Sequence, residues 1–349
     1  MARRAPKTTP PSGGLDARKA TILEAVVAEH IKTAQPVGST AVAANGDLAV
    51  SPATVRSEMV ALEHEGYLVQ PHTSAGRVPT DKGYRYFVDH LKAGTIGSAQ
   101  RYQVKDFFAH VRGEVEDVLE QTSTLLSELT SYTSVVLSPG HSHTTILSVQ
   151  LVSLDARHQL LVTVFSDGAV VKHSVLTAHD VTAVEVTEAS RQLNALLLGT
   201  TLETRMQVPS RNDHVASLVR EAVSVLHAEQ PTVDGEQVFI GGSSKIAEVF
   251  DGVETVRKVL AILEQELLVV SLVQDILDKG ATVAIGSEHR NESLAACAVV
   301  VAPVTIDGTP AGAVGLLGPT RMQYREAMAA AQVVSEQLAR HFAGEDDRG

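Results

Sequence analysis

Residues 50–80 constrain the fold of this chain more than any other segment, because a helix signal is followed there at once by a hairpin signal. Ser51 stands where a helix N-cap is favoured, and Pro52 suits the first helical position because its missing N–H would be unpaired there anyway. Gly66 is typical of a helix end. The segment therefore predicts a helix that begins at Pro52 and ends just before Gly66.

The predicted helix has one apolar face and one face of small and polar side chains. Val55, Met59 and Leu62 recur at i, i+4 and i+7, so we expect them to face a core. The opposite face then consists of Ala53, Thr54, Ser57 and Ala61, with Arg56 on its flank. Such a face lets a helix lie closely in the major groove of DNA, although many surface helices share it.

Two further helices are predicted before this one, and a hairpin is predicted after it. Asp16 can cap a helix over residues 16–34, and Ser39 can cap a short helix that follows. Next, Tyr67–Gln70 predicts a strand, and a polar turn leads to a second strand at residues 78–80. Three helices followed by a hairpin predict a winged helix-turn-helix, in which the second helix of the pair enters the major groove.

The turn between the two predicted strands would be the wing of that fold. A wing contacts the DNA backbone or the minor groove. Four side chains of this turn can donate hydrogen bonds to phosphate oxygens: His72, Thr73, Ser74 and Arg77. We therefore expect the turn to share the DNA contact with the predicted recognition helix.

The net charge of −12 is divided unevenly along the chain. Residues 1–92 carry 11 Lys and Arg against 9 Asp and Glu, a net charge of +2, whereas residues 93–349 carry 18 against 32, a net charge of −14. A mildly basic N-terminal part on an acidic body is compatible with DNA binding through the N-terminal part alone. Residues 1–14 are basic and rich in Pro, Ser and Gly, which predicts a disordered tail.

Composition and motifs exclude several classes of protein. The single cysteine, Cys297, excludes a disulfide framework and a multi-cysteine zinc site. The longest apolar runs are far shorter than the ~20 residues that span a bilayer, and no secretory signal is apparent, so we expect a cytoplasmic protein without membrane contact. Gly241–Lys245 resembles a phosphate loop only superficially, and no catalytic motif stands out; we expect no cofactor, no metal and no enzymatic activity.

The remainder of the chain predicts a mixture of helices and strands. Residues 100–132 carry a long helical pattern, and strand patterns follow between residues 146 and 176. Strand patterns return between residues 281 and 317, with helical patterns between the two groups. This arrangement predicts one α+β domain interrupted by an insertion, and a sheet flanked by helices is typical of GAF-like sensor domains.

Several segments closely resemble the HrcA family of bacterial heat-inducible transcription repressors. In the N-terminal part the resemblance lies in VSPATVRSEMVALE (residues 50–63), QPHTSAGRVPTDKGYR (residues 70–85) and PVGS (residues 36–39). Near the C-terminus it lies in GLLGPTRMQY (residues 315–324). The resemblance extends from about residue 15 to residue 343, and the wing motif is more specific than a generic helix-turn-helix match.

The resemblance implies a dimer built from winged-helix heads, GAF-like domains and inserted dimerisation domains. The overall class would be α+β, with the GAF-like sensor-type domain interrupted by an inserted α/β dimerisation domain. We accordingly expect a disordered basic tail at 1–14, a winged-helix domain at 15–92, a linker helix and the first part of the GAF-like domain at 93–187, the inserted domain at 188–262, the second part of the GAF-like domain at 263–343, and a tail at 344–349.

The resemblance also implies a function and partners. Members of the family bind an inverted-repeat operator in double-stranded DNA, the CIRCE element, ahead of chaperone operons and repress them. Their activity depends on the GroE chaperonin, which no longer maintains the active form of the repressor when heat fills it with misfolded proteins. The resemblance therefore predicts a homodimeric cytoplasmic repressor that is associated with the nucleoid when it is bound to its operator.

The family motifs indicate which residues of this chain contact DNA. They are Ser51, Ala53, Thr54, Arg56 and Ser57 in the recognition helix, His72, Thr73, Ser74 and Arg77 in the wing, and Ser39 upstream. One alternative is a ligand-gated regulator whose GAF-like domain binds a small effector, although strands rich in Val, Leu and Ala argue against a polar ligand. An enzyme with an accessory winged helix, and a winged helix that binds RNA or protein, are further alternatives.

Overall fold

The computed structural model mixes helices with strands, and it describes residues 15–44, 50–72, 75–92, 94–138, 145–166, 170–201, 213–228, 237–306 and 308–343. The expected tails at 1–14 and 344–349 lie outside the described residues. The helices are α1 (Ala17–Thr33), α2 (Ser39–Ala44), α3 (Pro52–His64), α4 (Asp81–Asp89), α5 (Ser98–His110), α6 (Val115–Thr130), α7 (Ala183–Leu197), α8 (His214–Ala228), α9 (Ile246–Val249), α10 (Val253–Leu263), α11 (Glu266–Asp278) and α12 (Tyr324–Phe342). The strands are β1 (Leu68–Val69), β2 (Val78–Pro79), β3 (Thr133–Leu137), β4 (Ile146–Ser153), β5 (His158–Phe165), β6 (Val170–Leu176), β7 (Val238–Gly241), β8 (Val283–Ile285), β9 (Cys297–Ile306) and β10 (Thr309–Pro319).

We refer to α1–α4 together with β1 and β2 as the head. Helix α3 packs on α1 and α2, and its three predicted core residues, Val55, Met59 and Leu62, are buried as expected. Strands β1 and β2 pair antiparallel, with Leu68 opposite Pro79. Helix α4 then packs on α1 and β2. The order of three helices, hairpin and helix agrees with the sequence prediction.

Contacts between residues divide the chain into two compact units. The first contains the head together with Val283–Val300 and Leu317–Ala329. The second contains the described parts of Ile96–Thr282, Val301–Leu316 and the residues from Ala330 onward. The head was expected over 15–92 as a domain of its own, and its packing with two C-terminal segments is a long-range contact that local patterns do not report.

The larger sheet contains β7, β3, β10, β9 and β8 in that order. Strands β3 and β7 pair antiparallel with Ser134 opposite Gly241, and β8 pairs antiparallel with β9. The chain therefore leaves this sheet after β3 and returns to it at β7. That interruption begins before the expected boundary at residue 188, which lies inside α7.

The smaller sheet contains β4, β5 and β6 in that order and packs with α7 and α8 around one apolar core. Ile146, Leu161 and Phe165 of the sheet meet Leu193 and Leu218 of the helices in that core. From the sequence we expect β4–β6 in the first part of the GAF-like domain and most of α7 and α8 in the insertion. Alternating apolar residues identify a strand, but they do not indicate which sheet the strand joins.

The long helical pattern predicted at residues 100–132 is divided into α5 and α6. Val111 leaves the helical conformation with φ −60° and ψ 132°. Gly113 lies at φ +145°, a backbone conformation that glycine adopts far more readily than other residues. The apolar stripe continues across the break, which is why its periodicity alone predicted a single helix.

Among the described residues, no helix combines the length and the apolar character that a bilayer crossing demands. No group of three or more His, Cys, Asp or Glu side chains among them could hold a metal ion. Cys297 is a free thiol and is buried.

Candidate nucleic-acid interface

Helix α3 begins with the cap that the sequence predicts. Ser51 is extended, with φ −71° and ψ 153°, and its Oγ accepts a hydrogen bond from the Thr54 amide at 3.2 Å. The hydroxyls of Ser51 and Thr54 also lie 3.0 Å apart. Both hydroxyls are therefore within hydrogen-bond reach of each other at the start of the helix, and Pro52 occupies its first helical position.

The exposed face of α3 carries most of the residues predicted to read DNA. Ala53, Arg56 and Ser57 are exposed, Ser51 is exposed beside them, and Thr54 is half-buried. Arg56 makes no ion pair with any residue that the structure describes. A small, polar face with one available guanidinium can approach base edges closely, and arginine can contact either guanine or phosphate.

Acidic residues of α3 and its C-cap are bound by cations from other parts of the head. Lys19 Nζ lies 2.5 Å from Glu65 Oε1, and this hydrogen bond raises the pKa of Lys19. Lys82 Nζ donates to the Glu65 carbonyl at 2.8 Å, and Arg18 lies 3.9 Å from Glu58. These contacts attach α3 to α1 and α4, and they offset negative charge that would otherwise repel phosphates.

Arg77 forms the third such pair and does not point freely into solvent. Its Nε and Nη2 lie 2.9 and 2.8 Å from Glu63 Oε2, and only 15% of its side chain is exposed. Its backbone pairs with Val37 in both directions, at 2.8 and 2.9 Å. Arg77 therefore connects the base of the hairpin both to α3 and to the segment before α2.

The remaining predicted contacts belong to the turn after β1 and to the start of α2. His72 is exposed at the end of β1, and its carbonyl accepts a hydrogen bond from the Ala75 amide at 2.9 Å. Thr73 and Ser74 lie outside the described residues. Ser39 is half-buried and is the first residue of α2, whereas the sequence analysis expected it to cap a helix beginning at Thr40. The Gly38 carbonyl instead accepts hydrogen bonds from the amides of Ala41 and Val42.

Sequence reasoning missed the residues that support this surface. Lys19, Glu63 and Lys82 do not contribute to the exposed face, and although Glu63 and Lys82 lie in family-like segments, nothing in those segments marks them as supports. A signal was present, because α3 carries Glu58 and Glu63, and Glu65 follows it as the C-cap, in a segment predicted to approach phosphates. Acidic residues at such a site need partners of opposite charge, and the sequence does not indicate which cations those are.

A capped helix with an exposed small and polar face, followed directly by a two-stranded hairpin, is typical of transcription regulators that bind DNA. The comparisons with known proteins identify the family. The family model described as the HrcA protein C terminal domain matches residues 116–328. The chain belongs to the HrcA family.

Two curated relatives span nearly the whole chain. The heat-inducible transcription repressor HrcA of Pelotomaculum thermopropionicum is 36% identical over 340 residues, which cover 93% of this chain and 96% of the relative. The protein of the same description from Moorella thermoacetica is 35% identical over 337 residues, covering 93% of this chain and 97% of the relative. The family relationship makes this chain a negative regulator of transcription in the heat-shock response, not an enzyme.

A solved structure supports the fold. A crystal structure described as that of a hypothetical protein at 2.2 Å resolution covers 95% of this chain and 98% of its own, with a TM-score of 0.56. The two sequences are 24% identical. At that identity the likeness concerns the fold alone.

Proposed function

We propose that this chain is a homodimeric repressor that binds an inverted-repeat operator of the CIRCE type ahead of chaperone operons. In this proposal each head is a winged helix-turn-helix, α3 enters the major groove and the hairpin contacts the neighbouring backbone. The observation that carries the proposal is the exposed face of α3, which presents Arg56 between small side chains. The fit of such a face to a groove is better than its fit to a folded protein surface, because its large apolar side chains are limited to Val60, which is 37% exposed, and it carries no Phe, Tyr or Trp side chain.

Symmetry explains why the operator would be an inverted repeat. A two-fold dimer presents two identical recognition helices, and each of them can read one half-site. The GAF-like and inserted domains of each subunit would hold the two heads at the spacing of the half-sites. The phosphate contacts of the hairpin would add affinity that falls as the salt concentration rises.

Relief of repression would need no small ligand. Folded domains are stable by only about 5–15 kcal/mol, so moderate heating can reduce the population that is competent to bind DNA. We propose that the GroE chaperonin restores this population in the cytoplasm and fails to do so when heat-denatured proteins occupy it. The repressor would then leave the nucleoid, and chaperone genes would be transcribed.

Titration of the full-length protein against three fluorescent duplexes tests this proposal. One duplex carries the inverted repeat, the second carries a single half-site and the third a scrambled sequence, all at near-physiological salt with and without chaperonin. We expect the tightest binding to the full repeat, and we expect chaperonin to increase the active fraction. Arg101→Ala removes an exposed arginine of α5 outside the head, and it should bind all three duplexes as the unmodified protein does.

Two results would contradict the proposal. Equal affinity for the full repeat and the scrambled duplex would show that the head does not read this sequence. Binding that appears only after a small effector is added would favour a ligand-gated regulator instead. Chaperonin without effect on the active fraction would contradict the proposed relief mechanism alone.

A further inference from the structure

The first compact unit contains a polar contact between the head and the segment after β8. Helix α4 supplies Asp81 and Arg85, and a 3₁₀ turn at Gly286–His289 supplies Ser287 and Glu288. We call these four residues the α4 latch. Arg85 and Glu288 are separated by 203 residues in sequence, and Asp81 and Ser287 by 206.

Arg85 provides the larger part of the latch. Its Nε donates to Glu288 Oε1 at 2.8 Å, and its Nη2 donates to Glu288 Oε2 in a second, short hydrogen bond. Nη2 also donates to the Val283 carbonyl at 2.8 Å. The two side chains are 29% and 35% exposed, so the pair is partly shielded from water. A bidentate arginine–carboxylate pair constrains orientation as well as distance.

The carboxylate of Glu288 is charged in this position. Burial acts to raise its pKa, but the hydrogen bonds from Arg85 and from the Ile285 amide outweigh burial and hold that pKa below the usual range. The Ile285 amide donates to Glu288 Oε2 at 2.9 Å. The Ile285 amide, at the end of β8, therefore helps Arg85 to orient the Glu288 carboxylate.

Asp81 makes the second connection, on the preceding turn of α4. Its Oδ2 accepts hydrogen bonds from the Ser287 amide at 2.9 Å and from the Ser287 hydroxyl at 2.8 Å. Gly286 lies at φ +52°, and a Cβ added there would overlap the Asp81 carboxylate. Glycine is required at this position both by its backbone conformation and by the close approach of Asp81.

An apolar contact lies beside these polar ones. Tyr84, between the two latch residues of α4, packs against Tyr324 with ring centroids 6.2 Å apart, and both rings are almost fully buried. The Tyr84 hydroxyl lies 2.7 Å from His30 Nδ1 on α1. The latch is therefore continuous with the core of the head and does not rest on surface side chains alone.

None of these residues belongs to the exposed face of α3. Ala53, Arg56 and Ser57 are exposed while the latch is formed, so the latch does not cover the proposed DNA surface. We propose that Asp81, Arg85, Ser287 and Glu288 are positioning residues that hold the head in one orientation, so that two heads of a dimer match the spacing of two half-sites. This inference rests on the proposed function for its effect on DNA binding.

The physical argument concerns the second half-site. Once one head is bound, binding of the other is intramolecular, and its effective concentration is high only if the connection holds it in a suitable geometry. Without the latch the buried Tyr84–Tyr324 contact would remain, but the head would lose its bidentate and Asp81 connections and would sample a wider range of orientations. Each half-site would still be read as well as before, because the α3 face is unchanged.

The test uses the full-length double variant Asp81→Asn with Glu288→Gln, which weakens both connections while preserving side-chain size. We expect affinity for the full inverted repeat to fall about tenfold or more and affinity for a single half-site to change by less than about twofold. Asp89→Asn is the matched control, because Asp89 lies 3.4 Å from Arg85 but belongs to α4 itself. The control is expected to bind both duplexes as the unmodified protein does.

A second measurement needs no DNA and separates this inference from the proposed function. A dye is attached to Lys32→Cys, an exposed site on α1, in a Cys297→Ser background, and its fluorescence anisotropy decay is recorded. With the latch intact the dye should rotate with the first compact unit, and the double variant should add a faster component. If neither duplex is bound even by the unmodified protein, the proposed function fails while this measurement still tests the latch.

Three outcomes would overturn the inference. A double variant without a faster anisotropy component would show that the latch does not hold the head. Equal losses on the half-site and the full repeat would show that the substitutions damage the head itself. Tighter binding of the full repeat by the double variant would show that the latch opposes DNA binding instead of supporting it.

Discussion

Two arginines of the head that the sequence predicts as DNA contacts lie in different environments. Arg56 and Arg77 both lie in segments predicted to meet DNA. Arg56 is exposed on α3, whereas the Arg77 guanidinium binds Glu63 and its backbone pairs with Val37. Exposure therefore makes Arg56 a candidate DNA contact, and pairing makes Arg77 a candidate support for the hairpin. Neither property can be seen in the sequence.

Arg56→Ala is expected to lower affinity for the inverted repeat more than affinity for scrambled DNA. If Arg56 contacts a base edge, the specific complex should lose about 1–3 kcal/mol, and nonspecific binding should change little. If it contacts only a phosphate, both complexes should weaken to the same extent. Parallel titrations of the two duplexes at several salt concentrations measure the difference, and equal losses would rule out base reading by Arg56.

Arg77→Ala is expected to destabilise the head and to weaken both DNA complexes together. It leaves the partly buried Glu63 without its partner, and we expect a loss of about 1 kcal/mol from the free energy of unfolding. Denaturant unfolding of Arg77→Ala, Glu63→Gln and the double variant gives the coupling energy of the pair. Unchanged stability with a selective loss of DNA affinity would instead make Arg77 a direct contact.

At the level of helices and strands, local sequence signals were reliable where the chemistry is local. The cap at Ser51, the buried face of α3 and the hairpin after it follow from neighbouring residues. The start of α2 was displaced by one residue because the Gly38 carbonyl, not the Ser39 side chain, accepts the first amide hydrogen bonds. The break between α5 and α6 was missed because the apolar periodicity continues across Gly113.

Gly76→Ala should destabilise the hairpin, whereas Gly38→Ala should not. A Cβ at Gly76 would overlap the Val37 carbonyl, which is backbone and cannot move aside cheaply, whereas a Cβ at Gly38 would meet open space. We expect losses of about 1–3 kcal/mol for Gly76→Ala and less than about 0.5 kcal/mol for Gly38→Ala. Unfolding followed by tyrosine fluorescence suits this comparison because Tyr67, Tyr84 and Tyr86 lie in the head. Equal effects of the two substitutions would mean that the hairpin can shift to accommodate the methyl group.

Across the whole molecule, the features that local signals could not supply are the long-range ones. The sequence indicated strands at β4–β6 but not that they form a separate sheet with α7 and α8. It likewise gave no sign that α4 would meet the turn at Gly286–His289, because the family-like segment at residues 70–85 does not indicate which distant residues Asp81 and Arg85 contact. Family resemblance predicted the negative regulation of transcription that the relatives support, and it proposed the DNA contacts, whereas the partners of Arg77 and Arg85 became visible only through packing.

Cys297 offers a way to learn whether heat opens the first compact unit. It is the only cysteine of the chain, it has no exposed surface, and burial raises the pKa of its thiol to about 12. At pH 8 only about one thiol in ten thousand would be ionised, so a thiol reagent should react very slowly with the folded protein. On unfolding, the pKa returns to its ordinary range, and both access and ionisation increase.

We therefore expect the labelling rate of Cys297 to rise steeply over the same temperature interval in which operator binding is lost. The control is Ser57→Cys with Cys297→Ser, whose exposed thiol should react quickly at every temperature and so reports only the ordinary temperature dependence of the reagent. Coincident transitions would mean that heat inactivates the repressor by opening the unit that contains Cys297 and the α4 latch. Loss of operator binding at temperatures where Cys297 is still protected would contradict this, because the heads would then lose their operator while the surroundings of Cys297 remain folded.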